Sequence, residues 1–190
     1  MNDVFAEALY YIPPKIWGKQ LLPLSLGHLV LLDTVSSPII NGGQIYLGDM
    51  GLFIWICSQE YKQANQSLYD LGTQSKHYDK LAYQFKRWAR QIPMDKDEIE
   101  HAHILIRDYM NHYTNVPTMW VSKNGTNSAK QTPFSFMIAS VLMRELSIDE
   151  DKAWNMPVNK AVSYYAAIGE MNGEEIRDPN VEAQDVIKVK

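Results

Sequence analysis

Histidine, cysteine and serine carry the groups in this chain that could bind a metal, move a proton or attack a carbonyl, so their spacing is the first question. His101 and His103, with His112 and several acids nearby, suggest metal ligation. Residues two apart on a helix point in different directions, and no His-x-x-x-His pair sets two imidazoles on one face. No metal site and no cofactor are therefore expected. His28 follows Gly27 on a short apolar segment, a setting that predicts a packed imidazole with a satisfied nitrogen rather than a base. The single Cys57 lies inside "LFIWICS" and cannot form an internal disulfide; it is expected as a buried, inert thiol. Ser25, Ser36 and Ser37 are accounted for by helix caps and turns, and no G-x-S-x-G elbow occurs. "NGGQIYLGDMG" contains four glycines but lacks the lysine of a phosphate loop and the strand-turn-helix setting of a dinucleotide site. With no catalytic residue assembled, the expectation is a protein that is not an enzyme.

The elements that must position these residues read as helices. The chain has 190 residues, 46% hydrophobic and 11% aromatic, enough for one domain with a core. A net charge of −4 offers no general attraction to phosphate backbones. One local basic run, Lys76, Lys80, Lys86, Arg87 and Arg90 against Asp79, precedes an acidic one, Asp95, Asp97, Glu98 and Glu100 against Lys96. The two are expected to neutralise each other across neighbouring helices. No basic leader precedes an apolar core, and no apolar run approaches the roughly 20 residues of a spanning helix, so a soluble, intracellular protein with no membrane partner is expected.

Leu24 to Val35 predicts a helix capped by Ser25. "SSPIINGG" predicts a connection, and Gly48-Asp49 a helix start running through "MGLFIWICSQ", apolar nearly all round and hence expected in the core. Asp79 to Ile92 is amphipathic, with Leu81, Phe85, Trp88 and Ile92 on one stripe. Asp95, Asp97 and Glu98 favour the first turn of a helix reaching about Tyr113, with Ile99, Ala102, Ile106, Tyr109 and Tyr113 buried. After Pro117, "TMWV" is the short run with extended character, and residues 122 to 132 predict a polar loop. Thr132-Pro133 restarts a helix with Phe134, Met137, Ile138, Val141 and Leu142 inward.

"SIDEDKAWNMPVNKAVSYYAAIGEMNG", residues 147 to 173, has the outline of a DNA-reading unit. Ser147 and Glu150 fit a capping box, and Asn155-Met156-Pro157 predicts a turn into a second helix. Val158, Val162, Tyr165 and Ile168 take the buried spacing, leaving Asn159, Lys160, Ser163, Gly169 and Glu170 for a groove. One lysine among these is a poor surface for phosphates, so a packing corner is preferred and nucleic acid is not expected as a partner. Trp154 is expected to close that corner against Tyr165 and the Val141-Leu142 face. The whole predicts an all-α fold: a single irregular multi-helix domain over residues 1–174, with the corner near its end and a polar tail at 175–190.

Two stretches are familiar together. "LLPLSLGHLVLLDTVSSPII" with "GDMGLFIWICSQ", and "AWNMPVNKAVSYYAAIGEMNGEE", resemble small proteins of tailed-phage and prophage tail morphogenesis clusters, similar to tail assembly chaperones. The resemblance covers about a third of the chain and rests on packing motifs. It implies a non-enzymatic phage or prophage morphogenesis protein acting in the cytoplasm of a bacterial host. Its partners would be the tape-measure or other tail proteins, captured helix-in-groove. Trp55, Trp120, Phe136, Met143 and Tyr164 are the candidate partner-binding residues, since each lies off or at the edge of a predicted buried stripe. The alternatives are a virion structural or connector subunit, which would form a homo-oligomer through the apolar helix at Leu47 to Cys57, and a helix-turn-helix regulator.

Overall fold

A computed structural model of the chain describes residues 11–72, 79–114 and 133–173, with the backbone alone at 70–72 and 79–82. Two short strands, β1 (Lys15–Ile16) and β2 (Lys19–Gln20), pair antiparallel ahead of the helices. The helices are α1 (Leu26–Thr34), α2 (Pro38–Asn41), α3 (Leu47–Cys57), α4 (Tyr61–Gly72), α5 (Asp79–Ala89), α6 (Lys96–Thr114), α7 (Phe134–Leu146), α8 (Glu150–Trp154) and α9 (Val158–Met171). The fold is all-α, as the helical spacing requires.

The hairpin was not legible as strand. Its two turn residues, Trp17 and Gly18, have φ of 46° and 78°, and positive φ at both centres is what a tight two-residue hairpin turn demands. A tryptophan there hides the turn signal. Ile16 is buried, and the Trp17 carbonyl accepts the indole N–H of Trp88 at 3.0 Å, which fastens the hairpin to α5.

α1 is the hub, packing against α2, α3, α4, α7 and α8. Ser25 caps it as predicted: its hydroxyl accepts the His28 N–H at 3.3 Å, and the Ser25 N–H donates to His28 Nδ1 at 3.1 Å. α3 lies in the core, with Met50, Gly51, Phe53, Ile54, Trp55, Ile56 and Cys57 all buried. It starts one residue before Gly48, and the Asp49 carboxylate accepts the Tyr46 N–H at 2.8 Å. Ala102, Ile106, Tyr109 and Tyr113 form the buried face of α6, matching the predicted stripe, with Ile99 half-buried.

Other expectations need correction. No helix is expected from the sequence over α4, yet Tyr61, Ala64 and Leu68 recur at i, i+3 and i+7 and turn inward with Ser67; the small Ala64 and Ser67 in that stripe make it easy to miss. The serine-proline connection contains one helical turn, α2, and α5 ends at Ala89 rather than Ile92. Ser147 does not open a capping box: it ends α7 in the left-handed region at φ 52°, and Asp149 caps α8 by accepting the Lys152 N–H at 2.8 Å. Pro133 and Pro157 stand at the N-cap rather than the first helical position. Phe134, assigned inward, is 45% exposed, while Ser135, Ile138, Ala139 and Leu142 face the core. The extended run, the polar loop and the tail at 175–190 lie outside the described residues.

The segment that opens α1 meets the helical corner between α8 and α9. Leu26 N–H donates to the Met156 carbonyl at 3.1 Å, Val158 N–H to the Leu24 carbonyl at 2.8 Å, and Ser25 and Pro157 form an isolated β-bridge. The Asn155 side chain accepts the Tyr61 N–H at 2.9 Å, so a residue 94 positions away supplies α4 with its first-turn partner. Residues 24–26 and 156–158 therefore form one clasp. Among the described residues no helix is long and apolar enough to cross a membrane.

Candidate functional site

Ser25, His28 and Cys57 are committed to capping and packing. His28 is buried and bonded at both ring nitrogens, the second through Nε2 donating to the Gln59 carbonyl at 2.7 Å. Since Nδ1 accepts a backbone N–H, the proton must sit on Nε2. Burial pushes the imidazole below its usual 6.5, with the Gln59 carbonyl opposing in lesser part. Ser25 and His28 are in contact, yet the imidazole faces the Ser25 backbone, and the hydroxyl accepts rather than donates. The pair is a cap, not a nucleophile and its base.

Cys57 is wholly buried, and its burial pushes the thiol far above the reactive range. The neighbouring Tyr109 hydroxyl donates to the Leu22 carbonyl at 2.7 Å. His101 and His103 are exposed on α6, and no cluster of three or more His, Cys, Asp or Glu able to hold a metal occurs among the described residues. Gly27 has its own purpose: a Cβ there would lie 2.6 Å from Tyr61 Cγ. Gly27 and His28 together seat the start of α4, the glycine by admitting the Tyr61 ring and the histidine by holding the Gln59 carbonyl.

The candidate partner-binding residues separate into different environments. Trp55 is a core residue, 3% exposed, with ring contacts to Phe85 and Trp88 at 5.4 and 5.8 Å and Lys19 Nζ 4.2 Å from its ring centroid. α3 has no polar face to show which side is out, and the hairpin and α5 cover Trp55 against the sequence expectation. Trp120 lies outside the described residues. Met143 is half-buried against the core. Phe136 and Tyr164 remain 41% and 40% exposed, on α7 and α9, two helices that pack together. On α9, Lys160, Tyr164, Ala167 and Met171 are all exposed at the i, i+4, i+7, i+11 spacing of one helical face. Lys160 Nζ stands 5.6 Å from the Tyr164 ring centroid.

The five α9 positions left for a groove do not form one exposed face. Asn159 and Gly169 are buried, Ser163 is half-buried and bonded to the Asn159 carbonyl at 2.7 Å, and Lys160 and Glu170 are the exposed pair. Trp154 does close the corner, 5% exposed, and its ring meets the Tyr61 ring at 5.4 Å and the Phe136 ring at 4.9 Å. Its indole N–H donates to Glu150 at 3.1 Å. These partners come from the unpredicted α4 and from the outer side of α7. The basic and acidic runs do not pair across helices among the described side chains, where the ion pairs are local: Arg107 with Asp108, Arg144 with Glu145, and Lys152 with Asp149.

No protein-family model matches the chain, nor does any curated protein or solved structure.

Proposed function

We propose that this is a non-enzymatic morphogenesis protein of the phage or prophage type, a tail assembly chaperone that holds helical segments of a tape-measure protein while a tail tube assembles. The carrying observation is the set of exposed aromatic side chains on α7 and α9, two helices that pack together. Phe134, Phe136 and Tyr164 are each 40% exposed or more, and Met171 reaches 86% at the end of the same α9 face. An amphipathic helix would lay its apolar face along such side chains, which supply contact area at low conformational cost. The resemblance of the clasp-forming stretches to tail morphogenesis proteins gives the partner's class. The alternative connector role through Leu47 to Cys57 loses its proposed contact, since that helix spends its apolar residues inside the chain.

Co-expression with a tape-measure protein tests the proposal. The tape measure should be soluble with the native chain and insoluble alone. Tyr164→Asp, at an exposed position, should abolish the rescue without unfolding the protein. A tape measure insoluble in every case rejects the reading. Mass spectrometry of finished virions separates the roles, because a chaperone is released whereas a structural subunit stays at fixed copy number.

A further inference from the structure

We propose that an open cleft along α5, bordered by α4 at one end and by Lys19 of β2 and Trp55 of α3 at the other, binds an acidic peptide segment of a partner protein. It shares no residue with the α7 and α9 surface and stands independently of the chaperone reading. The cleft consists of two adjoining cavities that meet at Gln84. One, of about 360 Å³, has Lys19, Arg87 and Gln91 around the edges of Trp55 and Trp88. The other, of about 550 Å³, is lined by Lys62 and by glutamines including Gln63. Among the described lining residues are three cations and no acid, in a chain whose net charge is −4.

Neither Lys19, Lys62 nor Arg87 has an ion-pair partner among the described residues. Lys19 sits over the Trp55 ring at 4.2 Å, and burial pulls its ammonium below the usual lysine value without a nearby carboxylate to oppose the shift. Such a cation gains from an incoming carboxylate more than one already paired. The indole N–H of Trp55 is buried and has no acceptor among the described residues. The amides of Gln63, Gln84 and Gln91 are without side-chain hydrogen bonds among the described residues, and each offers donors and an acceptor, the complement of a peptide's C=O and N–H groups.

This lining favours a peptide over a nucleic acid. Trp55 and Trp88 are 3% and 8% exposed, so neither presents an open face on which a base could stack. Lys19 and Arg87 line one cavity and Lys62 the other, so the three cations do not all converge on one phosphate. Spaced ammonium and guanidinium groups with amides between them suit carboxylates that alternate with backbone.

Titration of the full chain with a hexaglutamate peptide at low ionic strength, read by calorimetry and by tryptophan emission, tests the proposal. Saturable binding that weakens with salt is expected. Arg87→Glu and Lys62→Glu, both at exposed positions, should each weaken it about tenfold or more, while Arg144→Glu, an equal charge change outside the cleft, should alter it less than about twofold. Circular dichroism identifies any variant that fails to fold, and the other then carries the test. Absence of saturable binding overturns the proposal. So does an equal loss with Arg144→Glu, which would reduce the effect to net charge, and so does tripolyphosphate binding as tightly and displacing the peptide, which would make the cleft a phosphate site.

Discussion

Replacing His28 measures how much the join between α1 and α4 contributes, and the structure supplies the magnitude. The ring accepts the Ser25 N–H at 3.1 Å and donates to the Gln59 carbonyl at 2.7 Å. His28→Ala leaves the buried Ser25 N–H without its partner and deprives the half-buried Gln59 carbonyl, at about 1 to 3 kcal/mol for each stranded group. With the emptied volume added, the expected loss is about 3 to 5 kcal/mol. The same residue sets an acid sensitivity. Folding holds the imidazole neutral, so its folded pKa lies below the 6.5 it regains on unfolding. Below pH 6.5 the unfolded chain therefore binds more protons than the folded one. Stability contributed by the neutral ring is complete above that pH and falls as pH drops from 6.5 toward the folded value, by at most about 1.4 kcal/mol between pH 7.5 and 5.5. His28→Gln offers an amide N–H to Gln59 but has no proton to gain. Urea unfolding of the native chain and of His28→Gln at both pH values isolates the term, since all other titrating groups are common to the two. An equal acid loss in both proteins, or a cost below about 1 kcal/mol for His28→Ala, would refute the reasoning.

Trp154→Ala should lower stability by about 3 to 5 kcal/mol, since the indole is packed between Tyr61 and Phe136 and bonded to Glu150, whereas Lys160→Ala should change it by no more than about 0.5 kcal/mol. Thermal melting checks the ordering, and a partner-reading corner would reverse it, with stability untouched by loss of the indole. Gly27→Ala should destabilise by about 1 to 3 kcal/mol, because the new methyl would meet the Tyr61 side chain at 2.6 to 2.8 Å at its inflexible end; an unchanged urea midpoint would show that α4 can shift at no cost. Cys57 should resist an aromatic disulfide reagent in native buffer and react fully in denaturant, as its burial and raised pKa require. Rapid labelling of the folded chain would contradict that.

Amino-acid order by itself determined the helices whose inward face is large and apolar. α1, α3, α6 and α7 announce themselves through leucine, isoleucine and aromatic spacing, and the all-α class follows because local hydrogen bonding plus one apolar stripe suffices to define a helix. The inert settings of His28 and Cys57 were legible for the same reason: each sits within an apolar run. What depended on distant partners was not. α4 has a short apolar stripe in Tyr61, Ala64 and Leu68, but it takes its first-turn partner from Asn155, so its start carries no local cap signal. Trp55 and Phe136 carry the same aromatic label in the sequence, but the hairpin and α5 cover one while the other keeps an exposed edge beside Trp154. The cleft of Lys19, Lys62 and Arg87 draws its cations from β2, α4 and α5, which no spacing along the chain brings together. Only tertiary packing decides which side chains remain at the surface, because burial depends on what folds over a residue from elsewhere in the chain.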